Sequence, residues 1–266
     1  MNEENNRDTD LSFRLRRRQG ASSTEGQVPI KAMIFAAGLG TRFKPWTDSH
    51  PKALAIVNGK TLLQRNVEYL QHYGITEVVV NVHHFADQII AAIEKAKGWG
   101  SHIVISDETE AVLETGGGLL AAKDHLKDGT FLTINADILT DLNLNAFLSF
   151  HQQESATISF AVTGRETTRY LLFNEYNRLC GWRNTDPLRE RISVQADQYI
   201  QKGYSGIALF EPTVFNAITQ TGKFSLIDVY LSMAPGHKIA GYDHTESQVI
   251  DVGRTESVAL AESMFP

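Results

Sequence analysis

The run Ala36-Ala37-Gly38-Leu39-Gly40-Thr41-Arg42 directly follows an apolar stretch of strand length, and Pro51-Lys52 comes shortly after it. Glycines in the turn that ends a parallel strand let backbone N–H groups approach phosphate oxygens with no side chain in the way. Arg42 and Lys52 set two cations beside that loop. A triphosphate that expels pyrophosphate needs such charge, because negative charge builds on the leaving group and a positioned cation stabilises it as it forms. The spacing is not the dinucleotide fingerprint, since Phe43 stands where the third glycine would be, and no Gly-Lys-Ser/Thr closes a P-loop. A G-x-G turn alone is equally a tight strand-to-helix connection; the two cations are what favour phosphate.

Two acidic positions complement these cations. Asn135-Ala136-Asp137 ends the apolar run 131–134, and Asp251 follows a shorter run in Val249-Ile250-Asp251-Val252-Gly253. A carboxylate at the C-terminal end of an interior strand faces the cleft of an open α/β sheet. Mg2+ takes one or two carboxylates together with phosphate oxygens and water, which two aspartates on distant strands can supply. Either aspartate alone reads more simply as a turn former or helix cap. Leu113-Glu114-Thr115-Gly116-Gly117-Gly118 opens a helical stretch. Glycines at a helix N-terminus leave backbone donors open to an anion or a flat group, though a flexible hinge is the plainer reading. Gly203-Tyr204-Ser205-Gly206-Ile207 precedes a strand and offers backbone groups to sugar hydroxyls, and Lys223 is a cation for a sugar phosphate or a solvated loop lysine. His83 and His84 lack the carboxylate or cysteine spacing of a metal site and read as core or rim histidines.

The elements that must position these groups alternate. Strand-length apolar runs at 32–37, 78–82, 102–106 and 131–135 are separated by helical spacing at 61–73 (Leu62, Leu63, Val67, Leu70), 85–97 (Ile89, Ile90, Ile93) and 118–126. Such alternation predicts βαβ units, hence an α/β fold with a mostly parallel central sheet wrapped by helices. Beyond His151 the regularity weakens: 157–163 and 170–173 read as strands joined by turns, 184–198 is polar, and an antiparallel excursion is expected there. A strand at 205–210, a helix at 225–233, a short strand at 249–252 and a closing helix at 255–263 follow.

A chain of 266 residues can bury a full α/β core, and 42% hydrophobic with 21% charged residues excludes collagenous, disordered and disulfide-built classes. The one cysteine, Cys180, has no partner for an internal disulfide, which fits a reducing cytoplasm. No apolar run approaches the roughly 20 residues of a membrane-spanning helix, so no membrane partner is expected. A net charge of −6 argues against a general nucleic-acid binder, which carries a basic face, and leaves room for a small phosphorylated substrate. Residues 1–28 stand apart: a polar acidic start, the basic run Arg14, Arg16, Arg17 and Arg18, then small polar residues. Without an apolar segment after the arginines they read as a disordered tail and not a secretory signal, leaving 29–266 as the folded domain.

With these motifs in this order, the sequence resembles the sugar-nucleotide pyrophosphorylase family of nucleotidyltransferases, from Lys31 to about Glu262. The resemblance implies a Rossmann-like α/β/α sandwich with the nucleotide in a cleft above the sheet and a small antiparallel excursion on the sugar side. It implies Mg2+-dependent transfer of a nucleoside monophosphate from a nucleoside triphosphate to a sugar 1-phosphate, with pyrophosphate released. On the matching positions it assigns Ala37, Gly38, Gly40, Thr41, Arg42, Lys52, Gly116 and Gly117 to the nucleotide. Asp137 and Asp251 fall to the metal, and Glu114, Thr115, Asn135, Ser205, Gly206 and Lys223 to the sugar side. Catalysis then rests on Arg42, Lys52, Asp137 and Asp251. The Leu-Glu-Thr-Gly-Gly-Gly form is similar to the branch containing N-acetylmuramate 1-phosphate uridylyltransferase, and also to some mannose 1-phosphate guanylyltransferases, which tilts the base toward uracil.

Residues 166–201 match this family poorly, and 170–182 depart from the uridylyltransferase branch where family members vary their sugar-side flap, so the sugar stays open. Two other readings remain: a guanylyltransferase for a mannose-type or heptose-type 1-phosphate, and a non-catalytic homologue that binds a nucleotide sugar. The presence of Arg42, Lys52, Asp137 and Asp251 together speaks against the second. A nicotinamide-dependent oxidoreductase is disfavoured because the second strand ends in Val80-Asn81-Val82 with no acidic ribose ligand.

Overall fold

The computed structural model describes residues 30–266; the expected tail at 1–28 lies outside the described residues. In chain order the strands and helices are β1 (Lys31–Phe35), β2 (Ile56–Val57), β3 (Lys60–Thr61), α1 (Leu62–His72), β4 (Glu77–Val82), α2 (Ala86–Lys95), β5 (His102–Asp107), α3 (Glu114–Ala121), α4 (Lys123–Leu126), β6 (Phe131–Asn135), β7 (Ile138–Thr140) and α5 (Leu144–Glu154). They continue as β8 (Ile158–Thr163), β9 (Arg169–Phe173), β10 (Leu179–Thr185), β11 (Leu188–Ile192), β12 (Ile200–Phe210), α6 (Val214–Ala217), α7 (Leu226–Met233), β13 (Ile239–Asp243), β14 (Val249–Asp251) and α8 (Ser257–Met264).

The main sheet runs β11-β10-β9-β12-β6-β1-β4-β5, with β8 beside β12 and β13 beside β8. The strands β6, β1, β4 and β5 pair in parallel, as the βαβ alternation demands. Only β12 and β10 run against the rest, so most strands share one direction and their C-terminal ends share one edge. The hairpin of β10 and β11 on β9 is the antiparallel excursion expected from the irregular polar sequence. β12 joins the two regions: its first half pairs with β9, its second with β6, and both halves with β8 across an irregularity between Tyr204 and Ala208.

Alternate side chains of the central strands enter two separate cores, which makes the molecule an α/β/α sandwich. Ala32, Ile34, Val78, Val80, Leu132 and Ile134 pack with Leu63, Val67 and Leu70 of α1, Ile89 and Ile93 of α2, and Phe147 of α5. Met33, Val79 and Phe131 face the other way, with Leu119 of α3, Phe160, Phe210, and Val229 and Tyr230 of α7. A third, smaller cluster unites Phe43, Val57, Leu139, Ile250 and Ala261 beneath α8. The hydroxyl oxygen of Thr61 caps α1 by accepting the Gln64 N–H at 3.1 Å, and the Asn143 side chain caps α5 through the Ala146 N–H at 3.1 Å.

Several elements have weak sequence signals. The stripe α5 buries is Leu144, Phe147 and His151, and a histidine in that stripe masks its helical period. The strand β7 has three residues, too few for a period to register, whereas β14 falls on the short strand expected at 249–252. The helical stretch expected at 118–126 begins four residues earlier, at Glu114, and breaks at Ala122. The three glycines therefore lie within the first turns of α3 and do not precede it.

Candidate active site

The C-terminal ends of β1, β4, β5 and β6 open onto a cleft of about 510 Å³. From β1 it is lined by Ala36, Ala37, Gly38, Leu39, Gly40, Thr41 and Arg42. Gly38 has open space where a Cβ would stand, so nothing obstructs the backbone there. Gly40 has φ +59°, in the left-handed region that glycine favours, and a Cβ would lie 2.8 Å from Thr47 Cγ2. Its carbonyl accepts the Phe43 N–H at 2.7 Å and the Thr47 hydroxyl at 3.0 Å, which fixes the loop.

Lys52 lies in the short turn after Pro51, over the Phe43 ring at 5.8 Å, and forms an ion pair with Asp137. Asp137 follows β6, as the motif suggests, and Asp251 ends β14 directly beside it. Asp251 pairs with Ile138, and the Val252 N–H donates to the Asp137 carbonyl at 2.8 Å. A two-strand ribbon thus brings together aspartates that are far apart in sequence. Desolvation holds the Asp251 carboxyl above its usual range, and the charge of Asp137 pushes it the same way, against the pull of Lys52, Arg42 and Arg165. Two hard carboxylates suit Mg2+, and the Lys52 ammonium already stands as a cation on one of them. Among the described residues no group of three or more His, Cys, Asp or Glu is placed to hold a metal, so phosphate oxygens and water would have to complete the coordination.

The remaining expected residues divide into two groups. Glu114, Thr115 and Asn135 line the cleft, and Lys223 reaches its rim through an exposed ion pair with Glu114 at 3.6 Å. The Thr115 hydroxyl oxygen accepts the Leu226 N–H at 3.1 Å and so ties α3 to α7. Gly116 and Gly117 are buried, and their N–H groups both point to the Phe224 carbonyl, at 2.9 and 3.3 Å. This corrects the expectation that these amides lie open to a ligand: the glycines permit close packing, since a Cβ on Gly116 would collide with the Phe224 ring and one on Gly117 with the Gly222 carbonyl. Ser205 is fully buried with its hydroxyl hydrogen-bonded to His244 Nε2 at 2.8 Å, so its side chain is engaged away from any sugar. Gly206, at φ +75°, makes room for Asn135, whose Nδ2 would lie 2.8 Å from an added Cβ.

Sequence reasoning missed Asn81 and Glu108, both of which line the cleft floor. Their signals were present. Asn81 is the polar residue in the apolar run of β4, and Glu108 follows β5 as Asp137 follows β6. Burial raises the Glu108 carboxyl above its usual range, opposed by hydrogen bonds from Asn81 and the Leu113 amide and by nearby His83. His83 and His84 are rim residues: His83 Nδ1 meets the Glu108 carbonyl at 2.6 Å, and His84 packs on Phe85.

Comparison with known proteins agrees with this geometry. Residues 31–170 match the family model described as nucleotidyl transferase. The N-acetylmuramate alpha-1-phosphate uridylyltransferase of Neisseria meningitidis is 30% identical over 88% of this chain and 98% of its own length. A protein of the same name from Caulobacter vibrioides is 45% identical, over 42% of this chain and 47% of that protein. The crystal structure of HddC from Yersinia pseudotuberculosis complexed with GMP-PN has the same fold, with a TM-score of 0.71 at 21% identity over 89% of this chain and all of that one. No helix among the described residues is long and apolar enough to cross a membrane. On these matches, the chain belongs to the nucleotidyl transferase family.

Proposed function

We propose that this enzyme transfers uridine monophosphate from UTP to a sugar 1-phosphate, with N-acetylmuramate 1-phosphate as acceptor, and releases pyrophosphate in the cytoplasm. The observation that carries the reading is the convergence on one cleft of the Gly38–Arg42 loop, Lys52 and Asp137, with Asp251 held beside Asp137 by the pairing of β14 with β7. Backbone N–H groups of the Gly38–Arg42 loop cradle the triphosphate, with Ala37 at its base. Arg42 and Lys52 bring positive charge to the phosphates, where the departing pyrophosphate gains negative charge. The attacking sugar phosphate is already anionic at neutral pH, so the task left to the protein is to hold it in line with the α-phosphorus. Asp137 and Asp251 hold Mg2+, which when bound neutralises and orients the phosphates. Glu114, Thr115 and Asn135 on the cleft wall, with Lys223 paired to Glu114 at the rim, serve the base and sugar. The choice of uracil and muramate is supported by the names of the relatives from Neisseria and Caulobacter.

The test is to incubate the protein with Mg2+, each nucleoside triphosphate in turn and a panel of sugar 1-phosphates, and to measure pyrophosphate. Release should require both substrates and be greatest with UTP and N-acetylmuramate 1-phosphate. Turnover confined to GTP with a mannose-type or heptose-type 1-phosphate would replace the substrate assignment and leave the reaction standing. Silence with every pair would overturn the reaction itself.

A further inference from the structure

Asn81 sits near the end of β4, only 2% exposed, with both polar atoms of its side chain engaged. Its Oδ1 accepts the Ala36 N–H of the phosphate loop at 2.8 Å, and its Nδ2 donates to Glu108 Oε1 at 2.8 Å. Glu108, 3% exposed, accepts the Leu113 N–H on its other oxygen at 3.4 Å, where the chain enters α3. The Glu108 backbone is held as well: its N–H donates to the Val82 carbonyl at 2.8 Å, and its carbonyl meets His83 Nδ1. Gly118 of α3 closes the group, for a Cβ there would stand 2.5 Å from Glu108 Oε1 and 3.0 Å from Asn81 Nδ2. One hydrogen-bonded chain thus links the phosphate loop, the ends of β4 and β5, and the entry to α3.

The polarity of this chain is dictated. A backbone N–H only donates and a carboxylate only accepts, so position 81 needs one acceptor and one donor, which asparagine supplies. Buried polar groups of this kind are costly to leave half-paired, and once satisfied they fix their neighbours rigidly. We propose that Asn81 and Glu108 are positioning residues. They form a buried brace that sets the distance between the phosphate loop and the α3 wall, so that the two ends of one nucleotide meet a rigid template. The proposal rests on reading the cleft as the nucleoside triphosphate site.

Swapping donor and acceptor tests it. In N81D two carboxylates face each other and the link breaks. In N81D/E108Q the new carboxylate at 81 accepts from the Ala36 N–H and from the new amide at 108, whose oxygen still accepts from Leu113; net charge is unchanged. N81D should raise KM for the nucleoside triphosphate and lower kcat/KM by about tenfold or more, the usual scale for orphaning a buried polar group, with KM for the sugar 1-phosphate little moved. N81D/E108Q should recover most of that loss. If N81D does not fold, E108Q becomes the impaired reference, and adding N81D to it must improve it. Hydrogen exchange gives a readout free of activity: the Ala36 and Leu113 amides should be protected in the wild type and in the double variant, and exchange faster in N81D. A double variant no better than either single one would overturn the brace. So would N81D with normal kinetic constants and only a lower Tm, which would make Asn81 merely structural. A wild type that turns over no nucleoside triphosphate would sink the functional reading and the positioning role with it, while the exchange data would still decide whether the brace exists.

Discussion

The ion pair between Lys52 and Asp137 makes opposite demands on one side chain. Under the proposed mechanism the Lys52 ammonium stabilises the phosphates as pyrophosphate departs, so Lys52→Ala should lower kcat on the order of 10²-fold. The same change uncovers Asp137 beside Asp251, so the variant should bind Mn2+ more tightly than the wild type when no nucleotide is present, as read by electron paramagnetic resonance. Slower turnover with tighter metal is the expected pair. Wild-type values for both would show that Lys52 is structural. Asp251→Asn keeps the shape and removes one negative charge, so turnover should fall severely and the Mg2+ needed for half-activity should rise; near-normal kcat at limiting Mg2+ would remove Asp251 from the metal site. What the sequence shows of this cleft follows the same divide. That Gly40, Lys52 and Asp137 line the cleft was legible because each carries a local signal: a glycine turn after a strand, a lysine after proline, and an aspartate after an apolar run. The partnership of Asp137 with Asp251 came from their order in the family resemblance and not from local spacing, since the contact depends on a ribbon formed across more than a hundred residues of chain. Asn81 and Glu108 each carry a local signal, a polar residue in an apolar strand and a carboxylate after one, but their pairing depends on β4 and β5 lying side by side.

At the scale of elements, α3 is where sequence logic and structure part most clearly. Glycines in a helix interior are destabilising by about 0.5–1 kcal/mol each relative to alanine, so their accumulation at 116–118 needs a reason. The sequence suggested bare amides for a ligand; the structure supplies packing instead. The first turns of α3 press against 222–224 with no space for a methyl group, and the Phe224 carbonyl takes the two amides. The other departures have equally local causes. A histidine hides the period of α5, and a bulge in β12 at the positive-φ Gly206 lets one strand serve β9 and β6 in turn. Gly117→Ala therefore has a sharp expected sign. Helix propensity alone would raise stability by about 1 kcal/mol. The collision with the backbone carbonyl of Gly222, which cannot rotate aside, should reverse this and cost about 1–3 kcal/mol as overpacking does. A chemical denaturation midpoint above that of the wild type would show that the segment 222–224 yields easily and that α3 is not pinned by it.

For the whole molecule, two buried histidines link stability to pH. His151, 1% exposed, joins α5 to β8 and the end of β12: its Nδ1 shares a hydrogen bond with Ser159 at 2.8 Å and its Nε2 with Glu211 at 3.1 Å, and Thr130 donates to the same Glu211 oxygen. His244, 4% exposed, meets Ser205 beneath the β12 bulge. Burial lowers the pKa of both. Glu211 pulls His151 the other way, and Asp243 and Asp141 pull His244 the other way, while Arg165 adds to the lowering at His244. A histidine whose folded pKa is depressed takes up its proton first in the unfolded chain. Between its folded value and about 6.5 the unfolded state therefore holds more protons, and stability rises with pH through that window. The stabilisation is complete above about pH 7 and is lost progressively as the pH falls below about 6.5. Asp243, lowered to about 2 with Lys202 and Thr245 as its partners, acts in a separate and more acid window, through the unfolded value and down to the folded one. The raised carboxyls Glu108 and Asp251 work in the opposite sense, because the folded state binds their protons more readily. Tm measured from pH 8 to pH 5 should accordingly fall on the acid side, and the fall should be shallower in His151→Asn, which removes the titrating ring and can still hydrogen-bond. The same slope in His151→Asn and in the wild type would mean that His151 is protonated in the folded protein on Glu211 and that its burial does not cause the acid sensitivity.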